Sequence, residues 1–102
     1  MSNKVEVLVK LFETIEKRSK DYPSQSYTAK LLSEGKERCI AKLKEESLET
    51  VEAAEKDEIS QIIYESADLI YHLLVLWKKF DLTPDQIYTE LENREGKTGI
   101  RK

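Results

Sequence analysis

The sequence predicts an all-α protein: a helical bundle with a four-helix-type core, assembled as a dimer. Three observations predict it. Apolar residues recur at helical spacing, beginning with Val5, Leu8, Phe12 and Ile15. No segment shows the strict alternation of a half-buried strand. Residues 59–77 carry apolar side chains around most of a helical circumference, so that helix should be largely buried. A 102-residue chain builds only a modest core, and that much apolar surface implies a second copy of the chain.

The elements follow in order. The opening stripe sets a first helix over residues 4–20. Asp21-Tyr22-Pro23-Ser24 breaks it, because proline and the residue before it disfavour the helical region. Ser26 caps a short second helix through Leu32, and Gly35 stops it. A third runs from Glu37 to Lys56. Asp57 caps a fourth that reaches Phe80. Thr83-Pro84-Asp85-Gln86 joins a capping box to proline at the first helical position and starts a fifth helix to Arg94, ended by Gly96 and Gly99. The two long helices should run antiparallel across the Asp57 turn, and residues 1–102 should form one domain.

Composition removes several function classes. A net charge of −3 offers no basic footprint for nucleic acid. No stretch approaches about eighteen consecutive apolar residues, and no signal peptide precedes the first helix, so no membrane partner is expected. Cys39 is the only cysteine, which excludes an intrachain disulfide and predicts a reducing cytoplasm. With no base beside it, Cys39 reads as a small hydrophobe of the core.

The chemistry lies in two acidic clusters. Glu45, Glu46 and Glu49 fall on the third helix, and Glu65 and Asp68 on the fourth. In each, acids recur at i, i+3 and share a face, with Cβ atoms roughly 5–6 Å apart. Glu65 and Asp68 have no Lys or Arg three or four positions away, although apolar Leu69, Leu76 and Val75 share their sides of the helix. A carboxylate in such surroundings needs a cation, a proton or a partner. Two such helices side by side would gather four or five of these acids, and magnesium is the natural counter-ion, since it takes hard oxygen ligands and shares them with phosphates. A plainer reading also exists. Ile40, Leu43, Leu48, Val51 and Ala54 form an apolar stripe opposite the glutamates, as on an ordinary amphipathic helix whose acidic side faces solvent. Taken together, the two clusters favour the metal site.

His72, at i+4 from Asp68, reads as a hydrogen-bonded core residue rather than a ligand. Tyr71 and Trp77 read as packing residues. Lys30, Lys42, Arg94, Lys97 and Arg101 are the candidate phosphate contacts. Neither a P-loop nor a dinucleotide-binding glycine motif occurs.

Ser26-Tyr27-Thr28-Ala29-Lys30-Leu31-Leu32, Gly35, Lys42-x-x-Glu45-Glu46-x-x-Glu49, Glu65-x-Ala67-Asp68-Leu69-x-Tyr71-His72-Leu73-Leu74-Val75 and Leu91-x-x-Arg94 closely resemble the phosphoribosyl-ATP pyrophosphatase family. The likeness runs from Ile15 to Gly99. The acidic clusters alone belong to the wider all-α, MazG-like nucleoside triphosphate pyrophosphatases; the segments at 26–32 and 71–75 are narrower. The resemblance implies magnesium-dependent hydrolysis of N1-(5-phosphoribosyl)-ATP to N1-(5-phosphoribosyl)-AMP and pyrophosphate, the second step of histidine biosynthesis, by a homodimer. It implies Glu46, Glu49, Glu65 and Asp68 as metal ligands, Glu45 as a further acid and Lys42 as a phosphate-side base. Water would attack in line with Glu45 or Glu46 as its base, and Lys42 and Arg94 would stabilise charge on the triphosphate. Tyr27 and Lys30, with Arg94 and Lys97, are the candidates to select the phosphoribosyl group. The chain departs from the family pattern at Leu43-Lys44 and at Ser47, beside the motif rather than in it. Its length and its cysteine and histidine content fit the stand-alone form rather than a fusion to the cyclohydrolase of the next step. Two other readings stand beside this one: a house-cleaning pyrophosphatase acting on dUTP, dCTP or damaged nucleotides, and a non-catalytic helical dimerisation module.

Overall fold

The computed structural model describes residues 4–97, apart from the side chain of Val5. Every regular element among them is helical. A 3₁₀ turn at Lys4–Glu6 leads into α1, Val7–Arg18; α2 spans Tyr27–Ser33, α3 Lys36–Glu55, α4 Ile59–Lys79 and α5 Pro84–Asn93. Gly99 and Arg101 lie outside the described residues.

Helix α1 turns Phe12 and Ile15 inward, with Leu8 and Leu11 beside them. They meet Leu31 of α2, Cys39 of α3, and Leu74 and Val75 of α4. Burying each large aliphatic side chain contributes about 1.5–3 kcal/mol. Cys39 belongs to this core as expected, with its thiol directed at the Leu31 carbonyl. Ser26 caps α2, its hydroxyl accepting from the Ala29 amide at 3.1 Å. At the start of α5, the Gln86 side chain accepts from the Thr83 amide at 2.9 Å. Helix α5 rests on α1.

Gly35 joins α2 to α3 with φ +96° and ψ 175°. Only glycine adopts that backbone readily, and a Cβ built there would meet no atom nearer than Glu37 Oε2 at 4.0 Å. The requirement is therefore conformational rather than spatial. Gly35→Ala should cost about 1–3 kcal/mol in denaturant unfolding, and an unchanged midpoint would remove this account.

Asp57 does not cap α4. It sits at φ 55° as the residue after the end of α3, where the Asp57 amide donates to the Ala54 carbonyl and the Glu58 amide to that of Ala53, both at 3.1 Å. This is a Schellman closure, with aspartate tolerating the left-handed position usually held by glycine. Glu58 precedes α4 and makes no side-chain cap. Asp81 closes α4 in the same way: the Asp81 amide reaches the Lys78 carbonyl at 3.1 Å and the Leu82 amide that of Trp77 at 2.9 Å.

The Asp57 turn folds α3 back along α4, and these two helices form the most extensive packing in the fold. The turn also sets their register. Glu46 and Asp68 each lie eleven residues from Asp57, and Glu49 and Glu65 each lie eight. Like-numbered steps on the two arms of an antiparallel hairpin meet, so the acids of α3 face those of α4.

Two expectations are corrected here. Only the first half of the apolar stripe of α3 packs: Ile40 and Leu43 are half-buried, whereas Leu48 is 59% exposed and Val51 and Ala54 are exposed too, while Glu46 is buried. The plainer reading of a solvated acidic face fails at Glu46, although Glu45 and Glu52 are exposed. Nor is α4 largely buried. Of its residues only His72, Leu74 and Val75 are, whereas Ile59, Ile63, Tyr64 and Ile70 are exposed. The physical reason is that α1 and α2 cover one end of the α3–α4 hairpin, and nothing among the described residues covers the outer side near the turn.

Candidate active site

The acids converge between α3 and α4. Oxygens of Glu45, Glu46 and Glu49 lie within 4.8 Å of one another, and so do those of Glu46, Glu65 and Asp68. Glu46 belongs to both groups. It is 6% exposed, and its Oε2 has no hydrogen-bond partner among the described residues; neither has the buried Oε1 of Glu65. Two orphaned carboxylate oxygens facing further acids are what an all-oxygen cation site requires. The residues present therefore fit a hard divalent ion.

Lys42 guards the other side. Its ammonium pairs with Glu45 and lies 3.7 Å from Glu46 Oε1. The contact with Lys42 holds the Glu45 carboxyl below its ordinary range and raises Lys42 in turn. Glu46 and Glu65 move the opposite way. Burial first, then the neighbouring Glu49, pushes both carboxyls up, with Asp68 adding to each.

These shifts carry a sign. A carboxyl whose folded pKa is raised keeps its proton where the unfolded chain has lost it, so its contribution to stability falls as pH rises. Glu45 opposes this, but it is exposed. Metal-free protein should lose stability as pH climbs from about 4.5 through the raised values of Glu46 and Glu65. Thermal melts in EDTA check it: a Glu46→Gln/Glu65→Gln double variant should flatten the slope. The same slope in parent and variant would remove the assignment.

On the turn side the cluster opens into a hollow of about 320 Å³, lined by Glu49, Glu52, Ala53, Lys56, Glu58, Gln61 and Glu65. A larger hollow of about 670 Å³ lies at Glu13, Glu16, Lys17, Lys20 and Lys78, but its wall mixes both signs and contains neither orphaned oxygen.

The other candidates are distributed unevenly. Tyr27, at the start of α2, reaches α4 through a 3.1 Å hydrogen bond between its hydroxyl and His72 Nε2. Lys30 is exposed on α2. Arg94 is paired with Glu90 at 2.9 Å at the end of α5, and Lys97 follows it, exposed. Since α5 rests on α1, these two are not gathered with the acids within one chain.

Residues 8–95 match the sequence profile of the family described as phosphoribosyl-ATP pyrophosphohydrolase. The chain belongs to that family. In this phosphoribosyl-ATP pyrophosphohydrolase family member the matched span takes in both acidic clusters and reaches from α1 past the end of α5. The chain is 41% identical over 102 residues to the phosphoribosyl-ATP pyrophosphatase of Nitrosomonas eutropha, covering all of this chain and 87% of the relative. It is 46% identical over 93 residues to that of Parvibaculum lavamentivorans, covering 91% and 85%. Against that of Rhodobacter capsulatus it is 40% identical over 93 residues, covering 91% and 90%.

Tyr71 packs and His72 is a hydrogen-bonded core residue, as the sequence predicts, but their links to α2 were not legible there. Thr28 and Tyr71 share a hydrogen bond between their hydroxyls, and the rings of Tyr27, Tyr71 and His72 pack together. The partners on α2 and α4 lie more than forty residues apart in sequence, beyond the reach of helical spacing.

Proposed function

We propose that the carboxylate cluster binds magnesium and that, through it, a homodimer of this chain hydrolyses the α–β phosphoanhydride of N1-(5-phosphoribosyl)-ATP, releasing N1-(5-phosphoribosyl)-AMP and pyrophosphate in histidine biosynthesis. As a member of its family the chain is a hydrolase, a phosphoribosyl-ATP pyrophosphatase. The observation that carries the metal reading is the pair of buried oxygens on Glu46 and Glu65 that have no hydrogen-bond partner among the described residues, within two acid groups that share Glu46.

Glu46, Glu49, Glu65 and Asp68 would hold the ion. When bound, magnesium neutralises phosphate oxygens and makes water a stronger acid. The chain's own residues do the rest. Glu46 spans both acid groups and so fixes their spacing. Glu45, paired with Lys42 at the exposed rim, and buried Glu46 are the two carboxylates placed to accept the proton of the attacking water. Lys42 sets a positive charge beside the triphosphate. Lys30, Arg94 and Lys97 are the remaining donors for the 5′-phosphate of the added ribose, with Tyr27 beside the cluster.

Assembly as a homodimer is supported by the exposed Leu48 and Val51 of α3 and Ile59, Ile63 and Ile70 of α4. The α4 residues lie at i, i+4 and i+11 on one side, a continuous aliphatic stripe that water meets at a cost. Among the described residues no helix is long and apolar enough to cross a membrane.

The test is pyrophosphate release across phosphoribosyl-ATP, ATP, dUTP and dCTP, with magnesium and with EDTA. Strong preference for phosphoribosyl-ATP, lost in EDTA, is expected. Preference for dUTP or dCTP would make the protein a house-cleaning pyrophosphatase. No magnesium-dependent release from any of them would leave only a dimerisation module.

A further inference from the structure

Between the acid cluster and α2 stands an aromatic group that the hydrolytic machinery does not use. His72 is buried, and its Nδ1 lies 2.9 Å from the Asp68 carbonyl. A carbonyl only accepts, so Nδ1 carries a proton. In the neutral ring Nε2 is then an acceptor, and the Tyr27 hydroxyl, 3.1 Å away, donates to it. In that tautomer the one proton of Tyr27 is committed to His72, and its hydroxyl has none to give a substrate phosphate.

What remains available is the ring, on a residue that is 50% exposed. It is held from several sides. It stacks on Tyr71 with centroids 6.3 Å apart and planes 26° apart, and meets His72 edge-on at 6.0 Å. Tyr71 is itself tied to Thr28 through its hydroxyl. Through its hydroxyl the ring is tied to His72, whose Nδ1 bonds the backbone of Asp68, so it stands one residue away from the acid cluster. A rigid, half-exposed aromatic thus borders the place where a nucleotide's phosphates would sit.

We propose that Tyr27 stacks on the purine of the substrate, and that His72 is a positioning residue that fixes Tyr27 for that contact. The proposal rests on the nucleotide reading above and assigns the base subsite within it. The chemistry matches the substrate class. A carbon substituent on N1 makes adenine more basic and its ring electron-poor, and an electron-rich phenol face attracts such a ring more than plain adenine. Selection for an N1-substituted purine would then begin at Tyr27 rather than at a cationic side chain.

The experiment pairs two readouts. The first is binding of 1,N6-etheno-AMP, a fluorescent N1-substituted adenine with no phosphoanhydride to cleave, followed by anisotropy. The second is steady-state hydrolysis of phosphoribosyl-ATP. Tyr27→Ala should weaken etheno-AMP binding about tenfold, in the range for loss of one base–aromatic stack, and the hydrolytic loss should fall on KM rather than kcat. Tyr27→Phe, which keeps the ring, should lose much less. His72→Leu should match Tyr27→Ala, and the double variant should be no worse than either, because His72 acts through Tyr27. His72→Gln, whose amide oxygen can still accept from Tyr27, should recover most of the binding. Melting curves confirm folding of each variant; if His72→Leu does not fold, the two Tyr27 variants and His72→Gln decide. Unchanged etheno-AMP binding in Tyr27→Ala overturns the proposal, as do losses that multiply in the double variant. If the parent binds etheno-AMP through Tyr27 but does not cleave phosphoribosyl-ATP, the proposed activity falls and this subsite stands. If Tyr27→Ala cleaves phosphoribosyl-ATP with an unchanged KM, the activity stands and the subsite falls.

Discussion

Replacing Glu46 with glutamine should lower magnesium-dependent turnover by at least about 100-fold, since changes even to groups that only orient metal ligands cost 10–100-fold. It should do so while making the metal-free protein more stable. Glu46 is the one acid common to both groups, and it is buried with one oxygen lacking any partner among the described residues. Its charge is opposed by burial, Glu49 and Asp68, and only partly relieved by His72, with Lys42 3.7 Å away. Removing the charge removes that repulsion. Glu49→Gln, Glu65→Gln and Asp68→Asn each disturb one group and should also cut turnover severely, but with a smaller gain in stability. Glu45→Gln, at the exposed rim, should leave stability in EDTA unchanged. The measurements are pyrophosphate release and thermal melting in EDTA. A Glu46→Gln variant that melts lower than the parent would mean that Glu46 has a structural partner. One that retains near-normal turnover would end the metal assignment.

The parent chain should sediment at twice 11.9 kDa, and Ile63→Glu should bring it to the mass of a single chain. Ile63 is 67% exposed in the middle of the α4 stripe, with Ile59 and Ile70 along the same helix and Leu48 and Val51 on α3. In a two-fold assembly every residue of the stripe is used twice, so one buried glutamate becomes two. A charge forced into an apolar interface without a partner costs several kcal/mol, enough to dissociate a dimer at micromolar concentration. Sedimentation velocity of parent and variant checks both halves. A parent of single-chain mass would refute the homodimer, and a variant that stays dimeric would place the interface elsewhere.

Much of this was legible in the sequence, for reasons that can be named. Helical spacing marked α1 and α4 because Phe12, Ile15, Leu74 and Val75 bury themselves without help from outside the chain. Ser26 and the Thr83-Pro84-Asp85-Gln86 segment announced two helix starts through chemistry local to a few residues. The pairing of the acids was legible because a short turn leaves a hairpin little choice of register. Asp57 was misplaced because one aspartate can serve either as a cap or as a left-handed residue, and the demands of α3's closing carbonyls won. The exposure of Leu48 and Val51 on α3 was not legible because an apolar stripe shows where a helix wants to be dry, not whether its own chain or another supplies the cover. The link from Tyr27 through His72 to Asp68 was hidden because spacing along one helix says nothing of a partner on another.

The equal arms of the α3–α4 hairpin make the site intolerant of most changes in length. Deleting one residue between Asp57 and Glu65 would turn Glu65 and Asp68 by about 100° and draw them about 1.5 Å along the helix, away from partners on α3 that had not moved. A residue lost from one arm cannot be repaired by a substitution in the other. An insertion of about seven residues in both arms behaves differently. It adds nearly two whole turns to each, lifting the acids about 10 Å farther from the turn while keeping them face to face. Natural variation in chain length should therefore collect in the loops before α2 and after α4, and a change within the hairpin should appear as a matched pair.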